Sequence, residues 1–254
     1  LEHVYLVNNV SLFCASVFIY KDLKSLNYKI TVLVEGLMNF ENKNVRKSTS
    51  FLKFVKSLVS KMLFLPWKDM QGHCSGSFDK NTNCIISFTG KGVVAPREKI
   101  FLAEYKQSKI ITNPDKNSIL IIHSPLNEIF GRENYIYLCE KFFNWLNTKN
   151  FNKIYYKPHP NAKDIYLLNK LKNKNIEIWN YNLETNAAII PSLNIISFFS
   201  TALVLLKIIR PDLKINSYGL DFYQEKTGQV NDNRIKDLYN NFGIQNIKIN
   251  KIET

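Results

Sequence analysis

The segment Lys157-Pro158-His159-Pro160 combines a basic side chain, an imidazole and two prolines directly after an apolar stretch. Each proline fixes its own φ angle and favours an extended conformation in the residue before it. The imidazole of His159 therefore lies on a stiff piece of backbone, two residues after a lysine. Such a pair is suited to holding an anion or delivering a proton. The alternative is a turn histidine bonded to backbone groups.

Three further polar pairs follow apolar runs that are typical of buried strands. They are Glu35-Gly36 after 29–34, Ser124-Pro125 after 118–123 and Ser200-Thr201 after 195–199. A carboxylate beside a glycine suits a general base, whereas hydroxyl groups at a helix N-terminus suit an anion. The alternatives are an acidic turn for Glu35, a strand-to-helix connection for Ser124 and an ordinary helix N-cap for Ser200.

Lys91 lies between two glycines, but the lysine and hydroxyl that complete a phosphate-binding P-loop do not follow it. It suits either a contact with a phosphate or acidic acceptor, or a solvated turn. The cysteines fit neither a disulfide framework nor a zinc site; they are Cys14, Cys74, Cys84 and Cys139. Cys14 and Cys139 lie in apolar stretches and are expected to be buried thiols. The sequence also lacks an aspartate-rich metal motif and a nucleophile elbow.

The composition indicates a globular protein, since 45% of the 254 residues are hydrophobic. The net charge of +13 favours polyanionic partners: nucleic acid, anionic lipid, a nucleotide donor or an acidic polysaccharide. A genome-wide compositional bias towards Lys, Asn and Ile would also raise the lysine content, so less than half of the charge is assigned to function. No apolar run is long enough to span a membrane, and Leu1 begins no signal-peptide pattern. Because the cysteines form no disulfide framework, a reduced, cytoplasmic protein is expected.

Strands and helices alternate regularly after residue 118, which is typical of a parallel sheet. Strands are predicted over 4–7, 29–34, 84–88, 118–123, 153–157, 176–178 and 195–198. Helices are predicted over 11–26, 50–65, 133–149, 164–174, 183–190 and 201–209. The polar segment 106–118 suggests a domain boundary, which gives domains of 1–107 and 108–254. Ligands bind at the carboxyl ends of such strands, where Ser124, His159 and Ser200 are expected to lie.

Taken together, these motifs resemble those of bacterial sialyltransferases of the two-domain GT-B type. The most similar are the capsular polysialyltransferases and the lipooligosaccharide sialyltransferases. The family's acidic motif corresponds to Glu35-Gly36, its HP motif to His159-Pro160, and its pair of hydroxyl residues to Ser200-Thr201.

Two other segments add to the resemblance. ILIIHSPLNE is similar to the strand and turn that open the family's nucleotide domain, and LETNAAII, which contains Glu184, resembles the helix before the hydroxyl motif. The resemblance is good over roughly 118–210 and thin over the first part of the chain.

The resemblance implies an α/β, GT-B-like fold: two Rossmann-like domains whose parallel sheets face a central cleft. Residues 1–107 would form the acceptor-side domain, and 108–254 the nucleotide-sugar-binding domain. The family often has two acids before the glycine; here Val34 takes the first place, so Glu35 is left as the base. The part before Glu35 is also shorter than the resemblance leads us to expect, so we expect the first domain to be incomplete in this sequence.

The resemblance further implies a CMP-sialic acid donor and an inverting transfer that needs no metal ion or other cofactor. His159 would help the phosphate leave, and Glu35 would take the proton of the acceptor hydroxyl. The residues expected to bind the donor are Ser124, Pro125, Lys157, His159, Pro160, Glu184, Ser200 and Thr201. Gly36 and Lys91 are expected to contact the acceptor.

The positive charge fits an acidic polysaccharide or glycolipid acceptor, and it would also suit peripheral contact with the inner membrane. Elongation of polysialic acid for a capsule is therefore the leading interpretation. The alternatives are a lipooligosaccharide sialyltransferase that caps a galactoside, another GT-B glycosyltransferase, an inactive homologue and a nucleic-acid-binding module. No nucleic-acid-binding motif supports the last of these, so no nucleic-acid partner is expected.

Overall fold

A computed structural model describes part of the chain. The described residues are 3–7, 29–34, 40, 58, 77–78, 82–107, 109–111, 113–159, 165–228, 230 and 233–249. The chain divides into two compact units, Leu1–Glu104 and Tyr105–Thr254. The division falls a few residues before the boundary placed between 107 and 108. The helices predicted over 11–26 and 50–65 lie outside the described residues, apart from Leu58.

The first unit contains a parallel sheet in the order β1-β2-β3-β4. Its strands are β1 His3–Val7, β2 Lys29–Leu33, β3 Thr82–Ser87 and β4 Ile100–Leu102. β-Branched residues favour this pleated, half-buried surface, and Val32 and Ile85 are buried in it. The rings of Phe40 and Phe88 lie 5.6 Å apart.

The second unit contains a six-stranded parallel sheet in the order β10-β9-β8-β5-β6-β7. Its strands are β5 Asp115–Ile122, β6 Lys153–Lys157, β7 Ile176–Ile178, β8 Ser192–Ser197, β9 Lys214–Tyr218 and β10 Gln245–Ile247. The chain runs from β5 to β6 and β7 on one side, and then returns to β8 on the other side of β5. Ligands bind at this kind of topological switch point in open parallel sheets.

Helices accompany this second sheet, and α2 to α6 each bury part of their surface. They are α1 Asn127–Phe130, α2 Arg132–Asn147, α3 Tyr166–Leu171, α4 Thr201–Ile209, α5 Leu220–Lys226 and α6 Arg234–Asn241. In α2 the buried residues recur at helical spacing: Tyr135, Leu138, Cys139, Phe142 and Leu146. Among the described helices, none has the length and apolarity that crossing a membrane requires.

The predicted α/β class, with parallel sheets in two units, is confirmed. The way in which the two sheets face each other stays a prediction. The predicted burial of Cys139 is also confirmed, while Cys14 lies outside the described residues.

The helix predicted over 183–190 is wrong. This segment forms a turn, in which Asn186 N donates to Asn182 O at 3.1 Å, followed by the short 3-10 helix Ala187–Ile189. The side chain of Asn182 accepts bonds from the backbone and hydroxyl of Thr185, both at 3.0 Å. Such local bonds compete with helix formation, and Pro191 disfavours a helical conformation in the residue before it.

An ion pair between the buried Arg210 and the partly exposed Asp212 connects this segment to the end of α4. Arg210 is only 1% exposed, and its guanidinium donates to both carboxylate oxygens of Asp212 at 2.8 Å. It also donates to the carbonyl of Ala187. Arg210 therefore links the segment before β8 to the end of α4, the helix that follows β8.

Asp212→Asn is expected to lower the free energy of unfolding by about 1–2 kcal/mol at neutral pH, because a charged hydrogen-bond partner is lost. Hydrogen bonds from Arg210 lower the pKa of Asp212 below its ordinary 3.8. The carboxylate therefore stabilises the fold above the unfolded pKa, and this contribution is lost as the pH falls through the lowered value. Urea unfolding at pH 7 and about pH 3 should show the difference between wild type and variant shrinking in acid. An equal difference at both pH values would contradict this.

Candidate functional site

Three neighbouring strands of the second sheet end side by side. Ile122, the last residue of β5, pairs with Lys157 at the end of β6 and with Ser197 at the end of β8. Ser124, His159 and Ser200 follow these three ends. The structure therefore brings these three predicted site residues to one edge of the sheet, at the switch point between β5 and β8.

Ser124 links two of these strand ends. It is 5% exposed, and its hydroxyl lies 3.1 Å from the hydroxyl of Ser197. The Ser197 hydroxyl donates to the carbonyl of Ile122 at 2.9 Å, so Ser124 is the donor in the serine pair. Its hydroxyl proton is thus committed inside the sheet, so the hydroxyl cannot also donate to a phosphate. Pro125 follows it and is half-buried.

His123 is a buried histidine beneath the same edge, and the sequence analysis did not single it out. It is 2% exposed, its Nδ1 is hydrogen-bonded to the hydroxyl of Tyr156, and its backbone N donates to the carbonyl of Lys157 at 2.9 Å. His123 therefore holds the ends of β5 and β6 together. Its position directly before Ser-Pro at a strand end is the signal that could have drawn attention to it.

His159 follows β6 by two residues and is half-buried. Its imidazole therefore lies at the surface of the unit rather than in the core, which suits contact with a ligand. Pro160 lies outside the described residues.

Lys157 and Glu184 lie close enough to attract each other. Burial lowers the pKa of the Lys157 ammonium, and the Glu184 carboxylate opposes part of that effect. The Lys157 Nζ also lies 5.9 Å from the centre of the Trp179 ring. The structure thus places these two predicted donor-binding residues on the same side of the site, beside β6 and β7.

Ser200 caps α4, and Thr201 begins it. The Ser200 hydroxyl accepts a bond from Ala202 N at 3.2 Å. The Ser200 N–H donates to the hydroxyl of Tyr239 at 2.8 Å. Tyr239 is fully buried, and burial raises the pKa of its hydroxyl, so that this partner stays protonated. The N-cap interpretation of Ser200 therefore holds; Ala202 N is used by the cap and Leu203 N donates to the carbonyl of Ser200 at 3.3 Å, so the helix dipole is what this end offers an anion.

The remaining predicted residues belong to the first unit. Lys91 is exposed, and its backbone N donates to Thr89 Oγ1 at 3.1 Å, so it lies in a local turn. Glu35 and Gly36 lie outside the described residues. Val34, directly before them, is 6% exposed and donates its N–H to the carbonyl of Ile86 at 2.9 Å. The β2–β3 pairing therefore continues to the residue before Glu35.

A comparison with models of known protein families identifies the family of this chain. The model for alpha-2,8-polysialyltransferases matches residues 6–218. The chain belongs to the alpha-2,8-polysialyltransferase family. The expected enzyme class, a glycosyltransferase, is confirmed with it, and the family implies a nucleotide-sugar donor and a polysaccharide or glycoconjugate acceptor.

Curated proteins include no match to this polysialyltransferase-family chain. Solved structures with some similarity include MurG of Acinetobacter baumannii, with 10% identity, a TM-score of 0.41 and coverage of 99% of this chain and 86% of MurG. A second is S. aureus MnaA with UDP, with 11% identity, a TM-score of 0.41 and coverage of 78% and 53%. A third is the UDP-GlcNAc 2-epimerase of Methanocaldococcus jannaschii, with 13% identity, a TM-score of 0.39 and coverage of 100% and 71%.

The matched segment of this polysialyltransferase-family chain includes Glu35, Ser124, His159 and Ser200. It ends before α6, so Tyr239, which holds the backbone of Ser200, lies beyond it. Within the described part of the chain, no group of three His, Cys, Asp or Glu side chains is placed to hold a metal ion.

Proposed function

We propose that this chain is an inverting, metal-independent sialyltransferase that uses CMP-sialic acid and elongates polysialic acid for a capsule. One observation carries the proposal. His159 and Ser200 follow the two strands that flank β5, within a segment that matches the polysialyltransferase family. An imidazole and a helix N-terminus at one switch point would suit a single phosphate group.

The departure of the donor's phosphate is the first half of the proposed reaction. The bond between the anomeric carbon of sialic acid and the phosphate oxygen of CMP breaks, and its electron pair stays with the phosphate. His159 donates a hydrogen bond or a proton to that oxygen. The N-terminus of α4 and the hydroxyls of Ser200 and Thr201 stabilise the charge that develops there. Because only one phosphate leaves, these groups suffice without a metal ion.

The attack of the acceptor is the second half. The sugar centre takes on oxocarbenium-like character, as in other glycosyl chemistry. A hydroxyl of the acceptor forms the new bond from the face opposite to CMP, while Glu35 takes its proton. One displacement of this kind inverts the configuration at the anomeric carbon.

The positive charge favours an acidic acceptor. A polysialic chain carries one carboxylate on each sugar, so a chain with a net charge of +13 would attract it over a long range. The same charge would favour contact with anionic lipids, and we therefore place the enzyme in the cytoplasm, in peripheral contact with the inner membrane.

The proposal is tested by transfer from CMP-sialic acid to two labelled acceptors, an oligosialic acid and a lactoside, with and without EDTA. A ladder of products on the oligosialic acid is expected. A single addition to the lactoside alone would make the enzyme a capping sialyltransferase. Loss of activity in EDTA would contradict the metal-free mechanism, and transfer from another nucleotide sugar alone would overturn the donor.

The role of Ser200 in phosphate binding can be separated from its role as an N-cap. Aspartate caps helices about as well as serine, but it would place a negative charge beside the donor phosphate. Ser200→Asp is therefore expected to keep the free energy of unfolding within about 1 kcal/mol and to weaken CMP binding about tenfold or more. Urea unfolding and calorimetric titration with CMP measure the two effects. Unchanged CMP affinity would remove Ser200 from the phosphate site.

A further inference from the structure

The loop that follows β7, residues 179–184, carries an exposed aromatic ring at the carboxyl edge of the sheet. Tyr181 is 54% exposed, and its ring centre lies 5.5 Å from that of Trp179, which is 4% exposed. Trp179 N donates to the carbonyl of Tyr156 at 2.9 Å, so the buried ring is anchored to β6. The exposed ring of Tyr181 therefore packs against the buried ring of Trp179, which holds it in place.

The loop is held in place beyond Tyr181 as well. The side chain of Asn182 accepts two bonds from Thr185, and its carbonyl accepts one from Asn186 N. Lys157 lies against the Trp179 ring, and Glu184 attracts the Lys157 ammonium. A ring presented by a loop that is already ordered can stack on a ligand at little cost in conformational entropy.

From these contacts we propose that Tyr181 forms the surface on which the base of the donor nucleotide stacks. This inference rests on the proposed donor phosphate site. With that phosphate above the end of β5, between His159 and Ser200, the loop after β7 lies two strand spacings away, about 10 Å. A nucleoside monophosphate is long enough to extend from one to the other.

The other side of the switch point is less suitable for a nucleotide. There another exposed tyrosine, Tyr137, stacks on Phe222 at 5.6 Å. The cavity beside them is lined by the carboxylates of Glu133, Asp221 and Glu225 and by the ammonium of Lys226, so acidic groups predominate there and would repel a phosphate. On the β7 side Lys157 lies beside Trp179 and faces the carboxylate of Glu184, so carboxylates do not predominate among these charges and they favour the β7 side.

The test uses calorimetric titration of the whole chain with CMP, UMP and ribose 5-phosphate. Stacking of a base on an aromatic ring contributes to the binding free energy, and its loss in Tyr181→Ala should weaken CMP binding about tenfold. Ribose 5-phosphate, which has no base, should bind wild type and variant equally. Tyr181→Phe keeps the ring and should bind CMP as wild type does, and Tyr137→Ala is the matched control that should also leave CMP binding unchanged.

Each outcome bears on the inference. Unchanged CMP affinity in Tyr181→Ala would overturn it, as would an equal loss of CMP and ribose 5-phosphate. If wild type binds UMP but not CMP, the proposed donor alone is overturned. In that case a tenfold loss of UMP affinity in Tyr181→Ala would still support the stacking surface. Failure of wild type to bind any nucleotide would overturn both.

Discussion

His159→Ala is expected to lower kcat for sialyl transfer by about 10²- to 10⁴-fold, because the leaving phosphate loses the group that protonates or hydrogen-bonds it. The side chain follows β6 at the switch point and is half-buried, so its removal leaves the packed core of the unit intact. The free energy of unfolding should therefore change by less than about 1 kcal/mol. Steady-state kinetics with CMP-sialic acid and urea unfolding measure the two quantities.

His159→Gln separates hydrogen bonding from proton transfer. Glutamine can donate a hydrogen bond to the phosphate but cannot deliver a proton at neutral pH. If hydrogen bonding dominates, this variant should recover part of the lost rate; if proton transfer dominates, it should behave as His159→Ala does. If His159→Ala keeps most of its activity, the proposed role of His159 at the phosphate is contradicted.

The second sheet was predictable where a strand or helix is uniformly apolar and clearly bounded. The sequence predicts α4 over the residues that it spans, Thr201–Ile209, since Ser200 caps an apolar run that stops before Pro211. β6 was predicted equally well. The carboxyl ends of the strands, and with them the positions of His159 and Ser200, therefore followed from local patterns.

Most of the elements that were not predicted lack such a pattern. β9 contains Lys214, Asn216 and Ser217, so no apolar run marks it. Ser217 is nevertheless buried, because its hydroxyl donates to the carbonyl of Phe198 at 2.6 Å. β4, β10, α1 and α5 were also missed; they have three to seven residues, too short for periodicity to reveal them. α6 was missed although it carries a helical pattern, with Ile235, Leu238 and Tyr239 buried on one face.

The supporting residues of the site could not be predicted for a different reason. Ser124 and Ser197 are 73 positions apart, and they meet only because β8 returns beside β5. Tyr239 likewise reaches Ser200 from 39 positions away. A sequence pattern shows which residues end a strand, whereas strand order decides which of those ends become neighbours.

Glu35→Gln is expected to abolish measurable transfer, a loss of about 10²- to 10⁴-fold or more, while CMP affinity stays nearly unchanged. Glutamine keeps the size of the side chain but cannot accept the proton of the acceptor hydroxyl. The residue before it offers no substitute, because Val34 is apolar and 6% exposed. The proposed mechanism therefore depends on this one carboxylate for its base.

The experiment pairs initial rates of transfer with calorimetric titration by CMP, for wild type, Glu35→Gln and Glu35→Asp. Aspartate keeps the carboxylate on a shorter side chain, so it should retain part of the activity that glutamine loses. Loss of both transfer and CMP binding in Glu35→Gln would assign Glu35 a structural role. Full activity in Glu35→Gln would mean that a different residue takes the proton, and the acidic motif would then lose its place in the mechanism.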